Sequence, residues 1–149
     1  MNVPRETVFA ALFALAQSAV IAGEPAFKLT SRRAVMPDNA PAYPALYQTQ
    51  GDETAKGGLR GMIVWELRAE WRIYLRNQAA PALTSPPLNA YLDLIDTLLL
   101  PQPPRRQQLV TNGKPLVEAA YVDGKVLTAE NPLGDYAAIL VPITIITGE

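Results

Sequence analysis

Asp93 and Asp96 lie three residues apart in a segment of helical periodicity, the spacing of a carboxylate pair for acid–base or metal chemistry. Such a pair needs a partner histidine or further oxygen ligands. Here both aspartates fall opposite Leu88, Tyr91, Leu92, Ile95, Leu98 and Leu99, so a solvated helix face accounts for them. A second carboxylate set is Asp52, Glu53 and Asp135, which would serve a metal-dependent hydrolase only if all three converged. Ser18, Ser31 and Ser85 have no identifiable base, so nucleophilic catalysis is unsupported. The glycines at 57, 58 and 61 lack the G-x-x-x-x-G-K-[ST] order of a phosphate-cradling loop. No catalytic, cofactor-binding or metal-binding residue is assigned.

Composition weighs the same way. The chain has no histidine, hence neither the commonest general base nor the commonest zinc ligand. It has no cysteine, which removes disulfides and thiolate metal sites. A net charge of −1 gives no overall basic excess for neutralising phosphates. With 149 residues, 49% of them hydrophobic and 18% charged, the chain fits one globular domain with a real core.

The strongest structural signal is the run MIVWELRAEWRIYLR at 62–76. Trp65, Leu67, Ala69, Trp71, Ile73 and Leu75 point one way, while Glu66, Arg68, Glu70, Arg72, Tyr74 and Arg76 point the other. Strands usually run to about 5–6 residues, so this one is expected to outrun its sheet or carry a bulge. Its alternation of acid and base suits lateral pairing with a further strand, such as one from a neighbouring copy. Trp65 and Trp71 are expected in the core. The basic doublets Arg32–Arg33 and Arg105–Arg106 are ordinary surface features that would also suit a protein interface.

Around this strand, residues 4–23 predict an amphipathic helix with Pro4 in its first turn and Gly23 at its stop. Phe9, Leu12, Phe13, Ala16 and Val20 would form its packed face. A secretory leader is the weaker account, because Glu6 and Thr7 replace a basic start and Gln17 and Ser18 interrupt the apolar stretch. A strand at 27–33, a proline loop at 35–44 and a strand at 45–50 follow. The stretch 51–61 reads as a polar loop whose glycines predict mobility. After a linker at 79–87, Ser85 as N-cap and Pro86 begin the second helix, which ends at the prolines of 101–104. The remainder reads as strands at 107–111, 116–122, 125–127 and 137–147. Turns fall at Asn112–Gly113 and Asp123–Gly124, both strong hairpin signals. Pro142 cannot donate to a ladder, which predicts an edge or a bulge there. The sum is a single α+β domain over residues 1–149, with two helices on a largely antiparallel or mixed sheet around a long central strand. No internal repeat or domain boundary is evident.

Beyond this physical reading, the chain resembles the tail terminator (tail-completion, minor tail protein U-like) family of long-tailed bacteriophages and prophages. The likeness rests on Thr30–Ser31–Arg32–Arg33 before the proline loop, then Pro44–Ala45–Leu46–Tyr47 and Gln50–Gly51–Asp52–Glu53. The long alternating strand, Pro87–Leu88–Asn89 and Leu92–Asp93–Leu94–Ile95 follow. The C-terminal part is Val117, Tyr121, Val122, Asp123–Gly124, Leu133–Gly134–Asp135 and Ala138–Ile139–Leu140–Val141–Pro142–Ile143. Each piece is weak by itself; their order across nearly the whole chain is more specific. Relatives often carry paired glycines where this chain has Asn112–Gly113, and asparagine tolerates the positive φ required.

The resemblance implies a homo-oligomeric ring, a hexamer, at the head-proximal end of a virion tail, built in the bacterial cytoplasm. The ring would cap the tail tube protein, stop its polymerisation and receive a head–neck connector protein. DNA would pass through the channel without specific binding, and no membrane would be involved. Arg32, Arg33, Arg68, Glu70 and Arg72 are the subunit-interface candidates, and Asp52, Glu53, Lys56 and Arg60 the tube- or neck-contact candidates. Another head–tail joining protein is the alternative; a carboxylate-based metal-dependent enzyme and a secreted binding module rank lower.

Overall fold

Residues of opposite character alternate along 62–76, and a strand with that pattern must bury one face and present the other. The computed structural model, which describes residues 3–58, 61–76, 85–101, 106–130 and 136–148, has a strand there, and the fold is α+β. In chain order the elements are α1 (Arg5–Gln17), β1 (Val20–Ile21), β2 (Glu24–Pro25) and β3 (Leu29–Ser31). A short 3-10 turn (Pro37–Asn39), β4 (Ala45–Gln50), β5 (Thr54–Gly57) and β6 (Ile63–Arg76) follow. The second half holds α2 (Ser85–Leu99), β7 (Val110–Thr111), β8 (Lys114–Pro115), β9 (Ala119–Val122), β10 (Leu127–Glu130) and β11 (Tyr136–Thr147).

β6 does not outrun its sheet. All 12 residues of β11 pair with it antiparallel, from Tyr136 opposite Arg76 to Thr147 opposite Trp65, in one unbroken register. Leu67, Ala69, Trp71, Ile73 and Leu75 of β6 and Ala137, Ile139, Val141, Ile143 and Ile145 of β11 are buried on one face. They join Val8, Phe9, Leu12 and Ala16 of α1 and Leu88, Tyr91, Leu94, Ile95 and Leu99 of α2 in the main core. Trp71 is fully buried, as its position predicts, whereas Trp65 is half-buried, with the Arg5 guanidinium 5.0 Å above its ring.

The flanking strands are where the expectations change. β4 pairs with 69–74 of β6, and β5 continues along the same edge against 63–66, so the stretch expected as a mobile loop contains a paired strand. Between them residues 51–53 face only 67 and 68, which is a bulge. The other edge repeats this arrangement. β9 pairs with 143–146 of β11 and β10 with 137–140, while 123–126 bulge opposite 141 and 142. Asp123 and Gly124 therefore form no hairpin; the chain carries on in the same direction. Pro142 lies on a strand paired along both edges. Its carbonyl accepts the Asp123 N–H at 3.1 Å, and a residue's N–H and C=O face the same neighbour in an antiparallel ladder. Its missing donor thus faces the bulge, which is what permits a proline in a central strand.

β6 is also closed to lateral pairing with another copy over its length, because β5, the bulge and β4 occupy its second edge. β3 adds to β4 in parallel, as 29–31 against 45–47.

An internal repeat emerges that the sequence reading misses. Apart from β3 in the first, each half runs helix, two-residue hairpin, bulged flanking strand, long strand: α1, β1–β2, β4–β5, β6, and then α2, β7–β8, β9–β10, β11. The hairpins read Val20-Ile21-Ala22-Gly23-Glu24-Pro25 and Val110-Thr111-Asn112-Gly113-Lys114-Pro115. Their turn residues share positive φ, 52° and 80° in the first, 52° and 76° in the second. Their valines are equally exposed, at 58% and 59%. Gly23 is accordingly a turn residue, not a helix stop: α1 ends at Gln17, and Val20 lies in β1. α2 already includes Ser85, Pro86 and Pro87, the last part of the linker expected at 79–87, while residues 79–84 and the side chains on which the expected Ser85 cap rests lie outside what the structure describes.

Gln48 ties helix to sheet. It is 1% exposed, donates to the Phe9 carbonyl of α1 at 2.9 Å and accepts from the Trp71 indole N–H at 3.0 Å. Gly124 has φ +120°, and a Cβ there would lie 3.3 Å from Pro142 Cγ. Gly124→Ala is therefore expected to lower stability by about 1–3 kcal/mol in chemical denaturation. An unchanged midpoint and slope would show that the bulge yields freely.

Candidate functional site

The helices cover one face of the sheet and leave the other to solvent or to a partner. On this open face β6 places Glu66, Arg68, Glu70 and Arg72, and β11 places Leu140, Pro142, Thr144 and Ile146 directly beside them. The charges pair among themselves. Arg72 Nε meets Glu70 Oε1 at 2.7 Å, and this hydrogen bond raises the guanidinium above its ordinary value. Glu66 takes Lys56 at 2.6 Å and Arg68 at 3.8 Å. Arg68 also donates to Thr144 Oγ1 at 3.4 Å, and Thr144 donates to Asp123 Oδ2 at 3.0 Å. Side-chain exposures of 45% for Arg68 and 39% for Arg72 leave both free to meet a partner. Between the bulges lies a shallow groove of about 330 Å³, floored by the backbone at Ala69 and Ile143, whose side chains turn into the core, and walled by Gly51, Arg68, Glu70, Arg72, Asp123 and Pro142.

One end of this face is roofed. The proline loop packs over Tyr47 and Tyr74 in a second small core with Ala40 and Ala45. The Tyr74 hydroxyl donates to the Val35 carbonyl at 3.0 Å, and the Tyr43 hydroxyl to that of Pro37. Arg76 sits over the rings of Tyr43 and Tyr136, at 5.9 and 5.1 Å.

The structure brings Arg68, Glu70 and Arg72 together and separates Arg32 from them. Arg32 follows β3 on the helix side of the sheet, where it pairs with Glu6 of α1 and donates to Gln50 Oε1 at 2.9 Å. The expectation that Arg32 lies beside the trio is thus corrected: Thr30 and Gln50 share the face of Leu46 and Gln48, which is α1's face. Arg33 is exposed at the next position. Glu53 is held by Arg5 through two contacts of 2.7 and 2.8 Å, clasping the start of α1 to the bulge. Asp52 is exposed, and Lys56 is engaged with Glu66. Arg60, Arg105 and Asp135 lie outside the described residues; Arg106 stacks on Tyr121 at 4.1 Å. Asp93 and Asp96 are exposed on α2. Among the described residues no three His, Cys, Asp or Glu side chains group to hold a metal ion, and no helix is long and apolar enough to cross a membrane.

Leu140, Pro142 and Ile146 are the residues the sequence reading leaves unassigned. The signal is legible: the outward positions of an open-faced antiparallel strand should be polar, and those of 136–147 are mostly apolar. No protein-family model matches the chain, and no curated protein matches it.

Tyr47 is 1% exposed, and its hydroxyl has no hydrogen-bond partner among the described residues. Burial, with the Tyr74 hydroxyl beside it, raises its pKa above the ordinary value of 10.0. Its contribution to stability is therefore present below pH 10 and lost as pH rises through the folded value. Tyr47→Phe should be neutral, or stabilising by up to about 1 kcal/mol near neutrality, and should blunt the alkaline loss of stability. A loss of about 2 kcal/mol or more at neutral pH would mean that the hydroxyl is paired.

Proposed function

We propose that this chain is a structural protein of a long-tailed phage or prophage: a tail terminator whose ring caps the tail tube and offers a surface to the neck. The observation that carries the proposal is the open sheet face, where a mutually neutralised charge ladder lies beside an apolar column. That combination suits protein–protein contact, in which apolar area drives association and charges fix register. The order of sequence pieces shared with the terminator family supports the virion role. Near-neutral charge suits a channel through which DNA must slide without being trapped.

In this reading subunits meet heterologously, different patches of adjacent copies touching, as closed rings require. Arg68, Glu70 and Arg72 form one side of the contact. Arg32 and Glu53, engaged by α1, hold the fold and contribute to the ring indirectly. Asp52, Lys56 and the β5–β6 hairpin face the tube or the neck.

Light scattering and electron microscopy, with and without magnesium, are expected to reveal rings of uniform size. Reversing the charges at Glu70 and Arg72 together should leave the monomer folded and abolish those rings. Unchanged rings would reject the assigned contact. Hydrogen exchange of residues 51–58 should slow when tube protein is added, and unaltered protection would remove this segment from the contact. Copy number in purified particles separates a terminator, present as a single ring, from a tube subunit present many times.

A further inference from the structure

The open face is complementary to itself. Read along β6 it presents Glu66, Arg68, Glu70 and Arg72, a sequence of signs that becomes its own complement when reversed. A two-fold axis through the groove at the Ala69–Ile143 pair would turn a second copy antiparallel over the first, each β6 facing β6. Glu66 would then oppose Arg72 of the second copy, and Arg68 would oppose Glu70 of the second copy. The register of β11 carries the apolar column into the same relation. Since Arg72 pairs with Leu140 and Glu66 with Ile146, the axis sets Leu140 over Ile146 of the second copy. Likewise Pro142 falls over the Thr144 position of the second copy, where the threonine itself is buried, 1% exposed, and engaged by Arg68 and Asp123.

We infer that this face closes on a second copy of the chain as a two-fold pair, sheet against sheet. An isologous contact needs every residue to meet a suitable partner under one two-fold axis, and here ladder and column satisfy the same axis. Other placements fail. A two-fold axis along the strands sets the charged column over the apolar one and strands charges against Leu140 and Ile146. The proline loop roofs the face around Tyr47 and Tyr74, and because Tyr47 pairs with Arg72 the roof borders the ladder at that end. The charged residues keep their partners within each copy, so closure adds cross-copy neighbours without orphaning a charge. Stacked sheets sit about 10 Å apart, a separation that side chains of this length fill.

The inference rests on the reading of this face as a contact and not on the virion role. The pair and the ring compete for one surface, so the pair is the form of the free protein, and ring formation must open it.

The test is sedimentation of the full chain from micromolar to near-millimolar concentration, with far-UV circular dichroism and thermal melting as folding controls. Wild type is expected to reach a two-copy mass. Glu70→Arg sets like charges together at two symmetric places and should weaken the pair about tenfold or more. Arg68→Glu with Glu70→Arg in one chain recreates a self-complementary ladder and should recover most of that loss. A heterologous contact with a fixed patch elsewhere would not be rescued. Leu140→Asp should abolish the pair outright. A single-copy mass at every concentration, or a double variant no better than Glu70→Arg, overturns the inference. A two-copy mass without rings supports the pair and counts against the ring, whereas rings with no two-copy species do the reverse.

Discussion

The unbroken antiparallel pairing of β6 with β11 is the constraint from which the rest follows. Side chains alternate with period two along both strands, so one continuous register fixes at once which residues meet the helices and which face outward. A one-residue slip would carry Trp71, Ile73 and Ile143 out of the core and bring Glu70 and Arg72 into it. Burial of the first group and the cost of burying the second make that slip prohibitive. The flanking strands adapt to this ribbon. Each is broken by a bulge, and the bulges lie opposite Arg68 on one side and Pro142 on the other, flanking a groove at the centre of the outward face.

The same register divides the charged residues into two groups with separate duties. Those facing the helices are consumed by the fold: Arg5 clasps Glu53, and Arg32 joins Glu6 and Gln50, fixing α1 at both the bulge and the end of β3. Both pairs are solvent-accessible, so their energetic weight is modest and their value is positional. On the other face Glu66 is largely covered and held by Lys56, whereas Arg68, Glu70 and Arg72 stay partly exposed beside Leu140, Pro142 and Ile146. A surface of this composition is suited to meeting another protein, and in the proposed virion role it would do so.

The faces of β6 were legible in the sequence because period-two alternation over so long a run has no other reading. The bounds of β4 and the turn at Asn112–Gly113 were legible for equally local reasons. The strand at 54–57 was not, because glycines and charges mark a loop unless a long neighbour is known to need pairing. Asp123–Gly124 misled because the dipeptide that favours a hairpin also suits a bulge, and only the shared edge of β11 decides between them. Pro142 was read correctly as marking an edge or a bulge: its missing donor forbids a ladder bond on one side, and the neighbouring strand bulges there. The repeated order of elements was hidden because the two halves share little beyond the V-x-x-G-x-P hairpin, while their helix lengths and connections differ. Its place in a basic doublet grouped Arg32 with the ladder, although the parallel pairing of β3 places it on the helix side.

The central claim is that the outward face of the β6–β11 ribbon is where this protein meets protein. Oxidative side-chain footprinting at low and high protein concentration addresses it most directly, since Leu140 and Ile146 are reactive and half-exposed. Labelling of these two residues should fall as concentration rises, while the hairpin valines Val20 and Val110 on the helix side keep theirs. Constant labelling at Leu140 and Ile146, with protection arising instead at Val20 and Val110, would contradict the account.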